Sequence, residues 1–347
     1  MTETYKKIKE DATVVAVTVV YGDRWNFLKK TLDALINEPK ISTIIVVDNN
    51  SKNQQALDEY SKEHSPKIII LRQSENIGFS GAISKGAEKA KETSCDYVLI
   101  MDDDCVLEEG GIDMFLDNYK YFPTQRVVMV ANRIDIPGVI GSFRRPSIKS
   151  QIPDGTIFDT INIKKITNLI NLILGKKENP NGPFLPFFPT QAFVTGGSFY
   201  PMEVLNEVDP YQADFFIYGE DLDFAWRVKK AGFLSYQCAR PIIHDIDITF
   251  SQEGGHVWGL FSDTTADYKV YYRMRNSVVI SRRHTYQSKI NLLANIIIWY
   301  TGLFILGLFR HSSWKTYFYR VKLIVRAVLD GYAYPNTKRP NYIVVPK

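Results

Sequence analysis

Cysteine is scarce in this chain. Its 347 residues hold three, Cys95, Cys105 and Cys238. Three make no disulfide framework and show no metal-ligand spacing, so reduced thiols of a cytosolic protein are the expectation. The opening stretch MTETYKKIKED lacks an apolar run, and no secretory signal is expected. Repeats and low-complexity tracts are missing too. The overall charge lacks a strong sign: 42 Lys+Arg against 38 Asp+Glu give +4, which alone predicts no nucleic-acid partner. Acids, however, nearly vanish from the end of the chain. Residues 281–347 hold 11 Lys/Arg and one acid, Asp330, for +10, whereas residues 1–280 sum to −6. Such asymmetry points to an anionic partner for the tail.

What is present is ordinary globular material, 45% hydrophobic and 23% charged. This excludes a disordered, collagen-like or polytopic membrane protein. The length suffices for a sizeable core. TVVAVTVV (13–20), TIIVV (43–47), KIIIL (67–71) and DYVLIM (96–101) read as buried parallel strands. Helical patterns at 24–37, 53–64 and 78–91 alternate with them, which predicts an α/β unit with a mainly parallel sheet. Polar residues follow each strand's carboxyl end, where open α/β sheets bind ligands. Residues 127–200 are less regular, and PNGPFLPFFP (180–189) reads as a proline-punctuated loop, either an acceptor-side lid or a rigid surface connection.

MDDDC (101–105) sets three acids at a strand end. Adjacent carboxylates repel, and a hard divalent cation relieves that cost; a solvated acidic loop is the plain alternative. In VVDNNS (46–51), Asp48 suits a base imide or ribose hydroxyl, or simply caps a helix. ENIGFSGAISKG (75–86) starts a helix with glycines whose amino end favours phosphate. It has neither a GKS/GKT Walker ending nor GxGxxG spacing. In FFIYGEDLDFAWRVKKAGF (215–233), Glu220 and Asp221 lie beside aromatics, and partial desolvation makes a usable general base. Asp221 and Asp223 fall on different helix faces. His244 follows an apolar run; a lone His is more often structural than a ligand, but a neutral imidazole can complete a divalent site beside carboxylates. In YYRMRNS (271–277), Arg273 and Arg275 have the fork that suits phosphate, or are solvated arginines on a helix.

In this order, VVAVTVVYGDR, IIVVDNNS, LRQSENIGFSGAISKGAEKA, YVLIMDDDCVL, TGGSFY, FFIYGEDLDFAWRVKKAGF, His244 and YYRMRN resemble the family two inverting glycosyltransferases of GT-A fold. The pattern over about residues 12–280 is most similar to bacterial galactofuranosyl- and rhamnosyltransferases of surface polysaccharide assembly. The resemblance implies a Rossmann-like, mainly parallel sheet flanked by helices in a catalytic domain of residues 1–280. Its nucleotide-binding half would be about 12–130 and its acceptor half about 131–280. It further implies donor contacts from Thr18, Val20, Tyr21, Asp48, Arg72, Asn76, Gly78, Phe79, Asp102, Asp103 and Arg275. Mn²⁺ or Mg²⁺ would be held by Asp102, Asp104 and His244. Asp221 would be the catalytic base with Glu220 beside it, and Gly196 and Gly197 would shape the acceptor edge. Ser84 departs from the pattern, since many relatives carry Asn there. The implied reaction moves a sugar, galactofuranose from UDP-galactofuranose in the first instance or rhamnose from dTDP-rhamnose, to a lipid-linked or polysaccharide acceptor. A nucleotidyltransferase and a non-catalytic glycan-binding scaffold are the rival classes. The first lacks its basic Gly-rich signature after the opening strand; the second is at odds with the full set of candidate residues.

The remaining 281–347 form a basic, apolar helical extension. INLLANIIIWYTGLFILGLF (290–309) is a 20-residue run without charge, long enough to cross a bilayer. Basic residues flank it on both sides, which suits a single crossing poorly. Residues 314–329 interleave aromatics with Lys and Arg, as headgroup-level helices do. The expectation is an anionic membrane surface met by residues 288–330, placing the enzyme at the inner face of the cell membrane. A packed helix and a true span are the alternatives, and self-association is left open.

Overall fold

The structure is a computed structural model and describes residues 11–134, 143, 184–190, 192–247, 258–285 and 288–335. The start of the chain, most of 135–183 and the last residues lie outside it, and with them the first part of the 180–189 loop.

The strands form where β-branched residues run together. β1 (Val14–Gly22), β2 (Ile41–Ser51), β3 (Ile68–Arg72) and β4 (Tyr97–Asp102) are mutually parallel in the order β3-β2-β1-β4. Between β1 and β2 runs α1 (Trp25–Asn37), which buries Leu28, Thr31, Leu32 and Leu35, one face of a 3.6-residue period. After β2 comes α2 (Gln54–Glu63), and after β3 comes α3 (Gly78–Lys91). The buried face of α3 is made of small residues, Ser80, Gly81, Ala82, Gly86, Ala87 and Ala90. A side chain at Gly86 would run into Val17 and Val47, so α3 lies close on β1 and β2.

The sheet continues through β5 (Cys105–Leu107), β6 (Val127–Arg133), β7 (Phe187–Pro189), β8 (Ser198–Pro201) and β9 (Leu234–Asp245). Beyond β4 the order is β8-β6-β9-β5, with β7 also on β9. β8 is antiparallel to β4 and β6, while β6 and β9 are parallel. Part of the proline-punctuated loop is therefore a strand, since Phe187–Pro189 pair with Tyr236–Cys238. Also here are α4 (Gly111–Asn118), α5 (Glu203–Glu207) and α6 (Glu220–Lys230). The chain leaves β1 toward β2 on one side and returns to β4 on the other. That reversal opens a crevice at the carboxyl ends of β1 and β4. Register puts Asp48 opposite Val20, and Asp102 opposite Val19. Neighbouring strands lie about 4.8 Å apart, so the two acids stand about 10 Å apart across β1.

The chain divides into two compact units. One comprises 1–148, 182–216 and 220–250, and the other 149–181, 217–219 and 251–347. The first holds the whole sheet. The second holds α7 (Asp267–Ile280), α8 (Lys289–Phe309) and α9 (Trp314–Ala333), so residues 251–280 group with the tail. α7 buries Val270, Tyr271, Met274 and Val278. It is tied to α9 by Tyr271, whose hydroxyl donates to Asp330 at 2.6 Å, and by the Arg320–Asp267 ion pair at 2.7 Å. α8 buries only Leu292, Ile296, Tyr300, Leu303 and Gly307. Its other faces leave Ile290, Ile297, Ile305 and Phe309 exposed.

Candidate active site

The acids after β4 are held by arginines. Arg24, just past the end of β1, reaches three carboxylates: Nε to Asp103 at 2.7 Å, Nη2 to Asp104 at 2.6 Å and Nη1 to Asp247 at 2.8 Å. Arg133, at the end of β6, bonds Asp102 through Nη1 at 3.0 Å and Asp245 through Nε and Nη2. Burial opposes both guanidinium charges. The hydrogen bond and charge of Asp103 nonetheless hold Arg24 above its ordinary range, and the charge of Asp102 does the same for Arg133. Burial pushes the Asp103 carboxyl up to about 7 against the pull of Arg24. Burial and the neighbouring Asp102 raise Asp104 as well.

The donor set suits a hard divalent cation. Asp102, Asp104 and Cys105 offer ligand atoms within 4.8 Å of one another. Five carboxylates face two guanidiniums, an excess of negative charge when all are ionised. Cys105 adds no thiolate: burial drives its pKa far upward, and its thiol donates to Asp245 Oδ1 at 3.0 Å. His244 does not join this group. On β9 its side chain alternates with that of Asp245; Asp245 turns to Arg133, and the His244 Nε2 lies 3.1 Å from Glu108. The expected metal ligand is thus placed at a different carboxylate.

Glycine is required where the turn before β8 passes these acids. Any side chain at Gly196 would occupy the position of the Asp102 carboxylate. Asp102 is therefore walled by backbone.

On the other side of β1, Asp48 is fully buried. Its Oδ1 accepts the Ser51 N–H at 2.7 Å, and Arg72 Nε lies 3.6 Å from Oδ2. Thr18 is also buried, and its hydroxyl has no hydrogen-bond partner among the described residues. Val20 is buried, Tyr21 is half exposed and Phe79 half buried on the first turn of α3. Asn76 and Gly78 are positioned by Asn49, whose amide donates to Asn76 Oδ1 at 3.0 Å and the Gly78 carbonyl at 3.2 Å and accepts from the Ile77 N–H at 2.9 Å. Sequence reasoning passed over Asn49, which looks like an ordinary cap residue. Gly78 (φ +80°) lies against Phe216, leaving no room for a side chain.

Glu220 and Asp221 open α6, where a helix amino end favours negative charge. Burial raises both carboxyls, and the charge of Asp102 adds to the rise in each. Asp221 retains some exposure, whereas Glu220 is buried, with no hydrogen-bond partner for its Oε2 among the described residues. The two titrate as a coupled pair, in which the more exposed Asp221 is the readier to ionise. Asp223 is spent elsewhere: fully buried, it accepts from Arg227 Nε at 2.8 Å. Three residues just before α6 have positive φ, Phe216 (62°), Tyr218 (67°) and Gly219 (88°), a conformation non-glycine residues hold only under constraint. Part of that constraint is Asn276, also missed in the sequence, whose amide donates to the Ile217 and Tyr218 carbonyls at 3.1 and 2.7 Å. Arg275 lies in the second unit, buried, with its guanidinium 5.3 Å from the Tyr272 ring and 5.4 Å from the Tyr334 ring.

The fold is that of GT-A glycosyltransferases. Residues 1–349 of S. aureus TarS share it with a TM-score of 0.51 at 11% identity, over 91% of this chain and 81% of that one. The same protein in complex with UDP-GlcNAc gives 0.52 at 12% identity, over 91% and 81%. Residues 15–186 match the family described as Glycosyl transferase family 2, so the chain carries a family 2 glycosyltransferase domain. A curated relative, the N-acetylglucosaminyl-diphospho-decaprenol L-rhamnosyltransferase of Mycobacterium tuberculosis, is 24% identical over 67% of this chain and 75% of its own length.

Proposed function

We propose that the protein transfers a sugar, with inversion, from a nucleoside-diphosphate donor to a hydroxyl of a lipid-linked glycan during assembly of cell-surface polysaccharide. One observation carries this reading. Asp48 and Asp102 stand toward the carboxyl ends of the two strands that flank β1, one register step apart, and the charge of Asp102 adds to the raised carboxyls of Glu220 and Asp221.

Asp48 and Arg72 take the nucleoside, with Thr18 offering an unused hydroxyl. The amino end of α3 with Asn76 and Gly78 lies beside it. Asp102 and Asp104 hold Mn²⁺ or Mg²⁺, which when bound neutralises charge on the leaving diphosphate. Asp221 accepts the proton of the acceptor hydroxyl. That oxygen bonds to the anomeric carbon as the bond to the diphosphate oxygen breaks, and the electron pair leaves with the diphosphate. The displacement is single, so no enzyme nucleophile is required. Glu220 remains protonated over a wider pH range and keeps a second negative charge away from Asp221.

Rhamnose from dTDP-rhamnose is the donor sugar we favour, on the likeness to the rhamnosyltransferase. Galactofuranose rested on His244 and YYRMRN, and His244 stands at Glu108. The acceptor reading also follows the relative, whose name specifies a diphospho-decaprenol acceptor. We place the enzyme at an anionic membrane through α8 and α9. α8 carries no charge from Ile290 to Phe309 and leaves most of its apolar side chains exposed. The exposed face of α9 alternates Trp314, Phe318, Val325 and Leu329 with Lys315, Lys322 and Arg326, as an interfacial helix does.

The test is incubation of the full chain with Mn²⁺, lipid-diphosphate acceptor and a panel including dTDP-rhamnose and UDP-galactofuranose. Release of dTDP or UDP with a glycosylated lipid supports the reading. Release of pyrophosphate instead would make the protein a nucleotidyltransferase.

A further inference from the structure

We propose that Arg24 and Arg133 are built-in counterions that set how the site loads. They keep its affinity for a bare divalent cation low, so that cation and donor diphosphate bind together. This inference deepens the donor-site reading above and rests on it.

The two arginines approach the acids from different strands, Arg24 past β1 and Arg133 at the end of β6. Each employs three nitrogens on carboxylates. A guanidinium carries five N–H donors, so each keeps two without an acceptor among the described residues. Packing as well as charge holds the Arg24 fork: its guanidinium sits 4.9 Å from the Phe27 ring and 5.7 Å from the Tyr21 ring. The side chains of both are largely buried, 16% and 18% exposed. The acids they pair with include both candidate cation ligands, Asp102 and Asp104.

A bare cation must compete with these guanidiniums for the same carboxylate oxygens, and their positive charges repel it. A cation that arrives with a diphosphate meets a different balance. The diphosphate oxygens accept the spare N–H donors in charge-assisted bonds, so the arginines then favour the complex they hinder in its absence. The site is thus poised to gain positive charge only as part of a larger ligand.

Replacing one arginine by a neutral side chain has effects of opposite sign. The acids are left more negative, so bare cation binds more tightly; the diphosphate loses donors and meets more repulsion, so it binds more weakly. A purely structural arginine would weaken both. The experiment titrates Mn²⁺ alone, by electron paramagnetic resonance, into wild type, R24Q and R133Q, then titrates UDP and dTDP at saturating Mn²⁺. In R24Q and R133Q we expect the Kd for Mn²⁺ alone to fall by about fivefold or more and the nucleotide Kd to rise by about tenfold. R24K, which retains the charge without the fork, keeps a Mn²⁺ Kd near wild type. Unchanged or weaker Mn²⁺ binding in the glutamine variants overturns the inference. If R24Q loses its cooperative thermal transition, R133Q and R24K carry the comparison. Wild type that binds neither nucleotide with Mn²⁺ overturns the donor-site reading itself. Wild type that binds them, with glutamine variants no tighter for Mn²⁺, overturns this inference alone.

Discussion

The two compact units treat charge and apolar surface in opposite ways. In the sheet-bearing unit apolar residues are inside, and the acids that matter are drawn in with them, each matched by a guanidinium or held partly protonated. In the helical unit much of the apolar surface lies outside, on α8 and one face of α9, and the cations stand exposed beside it. The first arrangement is costly unless a ligand completes it, because buried carboxylates without full compensation are unstable. The second is costly in water but not at a lipid surface. On the function proposed above, each unit would meet its partner through what it leaves unsatisfied: a cation with a diphosphate in one, an anionic bilayer in the other.

The largest expected effect separates chemistry from binding within the acidic unit. Asp221→Asn removes the base and should lower kcat by about a thousandfold or more, with nucleoside diphosphate affinity near wild type by calorimetry. Substantial residual turnover would move the base elsewhere. The next is Gly196→Ala, whose methyl must displace the Asp102 carboxylate. We expect loss of Mn²⁺-supported nucleotide binding by about tenfold or more, the cost of a lost charge-assisted contact, while circular dichroism stays native.

A pH profile sharpens the same comparison. Raised carboxyl pKa values mean the base is unprotonated only above the ordinary carboxylate range of about 4. Activity should therefore fall, as pH decreases, along a limb displaced upward from that range, and Glu220→Gln, neutral like the protonated Glu220 it replaces, should leave that limb in place. The sign for stability is opposite. The folded state holds these protons more tightly, so the pair's contribution is present below the ordinary range and is lost as pH rises through the raised values. An acid limb at about 4 would break the assignment.

The helical unit is tested by vesicles. Lys322→Glu with Arg326→Glu should weaken binding to phosphatidylserine vesicles, since each cation near such a surface contributes about 1 kcal/mol, and added salt should shrink the wild-type difference. Turnover with a water-soluble acceptor should be unchanged. The smallest effect is Ser313→Ala. The Ser313 hydroxyl accepts the Thr316 N–H at 3.1 Å, and loss of this cap should cost about 1 kcal/mol in thermal unfolding.

The parallel strands were readable because β-branched runs buried on both faces leave an unbroken signal, and 78–91 matched α3 because its small residues and glycine start agree locally. The strand-end acids followed from those boundaries. The arginine partners did not, since Arg24 and Asp247 are 223 residues apart and nothing local marks such a pair. Asn49 and Asn276 escaped for a related reason: a polar amide that bonds a distant backbone has the same sequence signature as one that caps a helix. His244 stands apart from the acidic cluster through strand alternation. One residue along β9 changes the face, giving the acidic cluster to Asp245 and Glu108 to the imidazole.

The bond from Asn276 to the 217–218 backbone bears on how α8 and α9 can be removed. A cut at residue 281, where the charge changes sign, would strip α9 from α7. α7 carries Asn276, and Asn276 fastens the left-handed turn that delivers Glu220 and Asp221. A shortened chain ending there would therefore loosen α7 and with it the Asn276 bonds to the turn before Glu220 and the proposed base Asp221. Excising α8 alone, with α9 kept and rejoined to α7 by a linker, leaves the fastening intact.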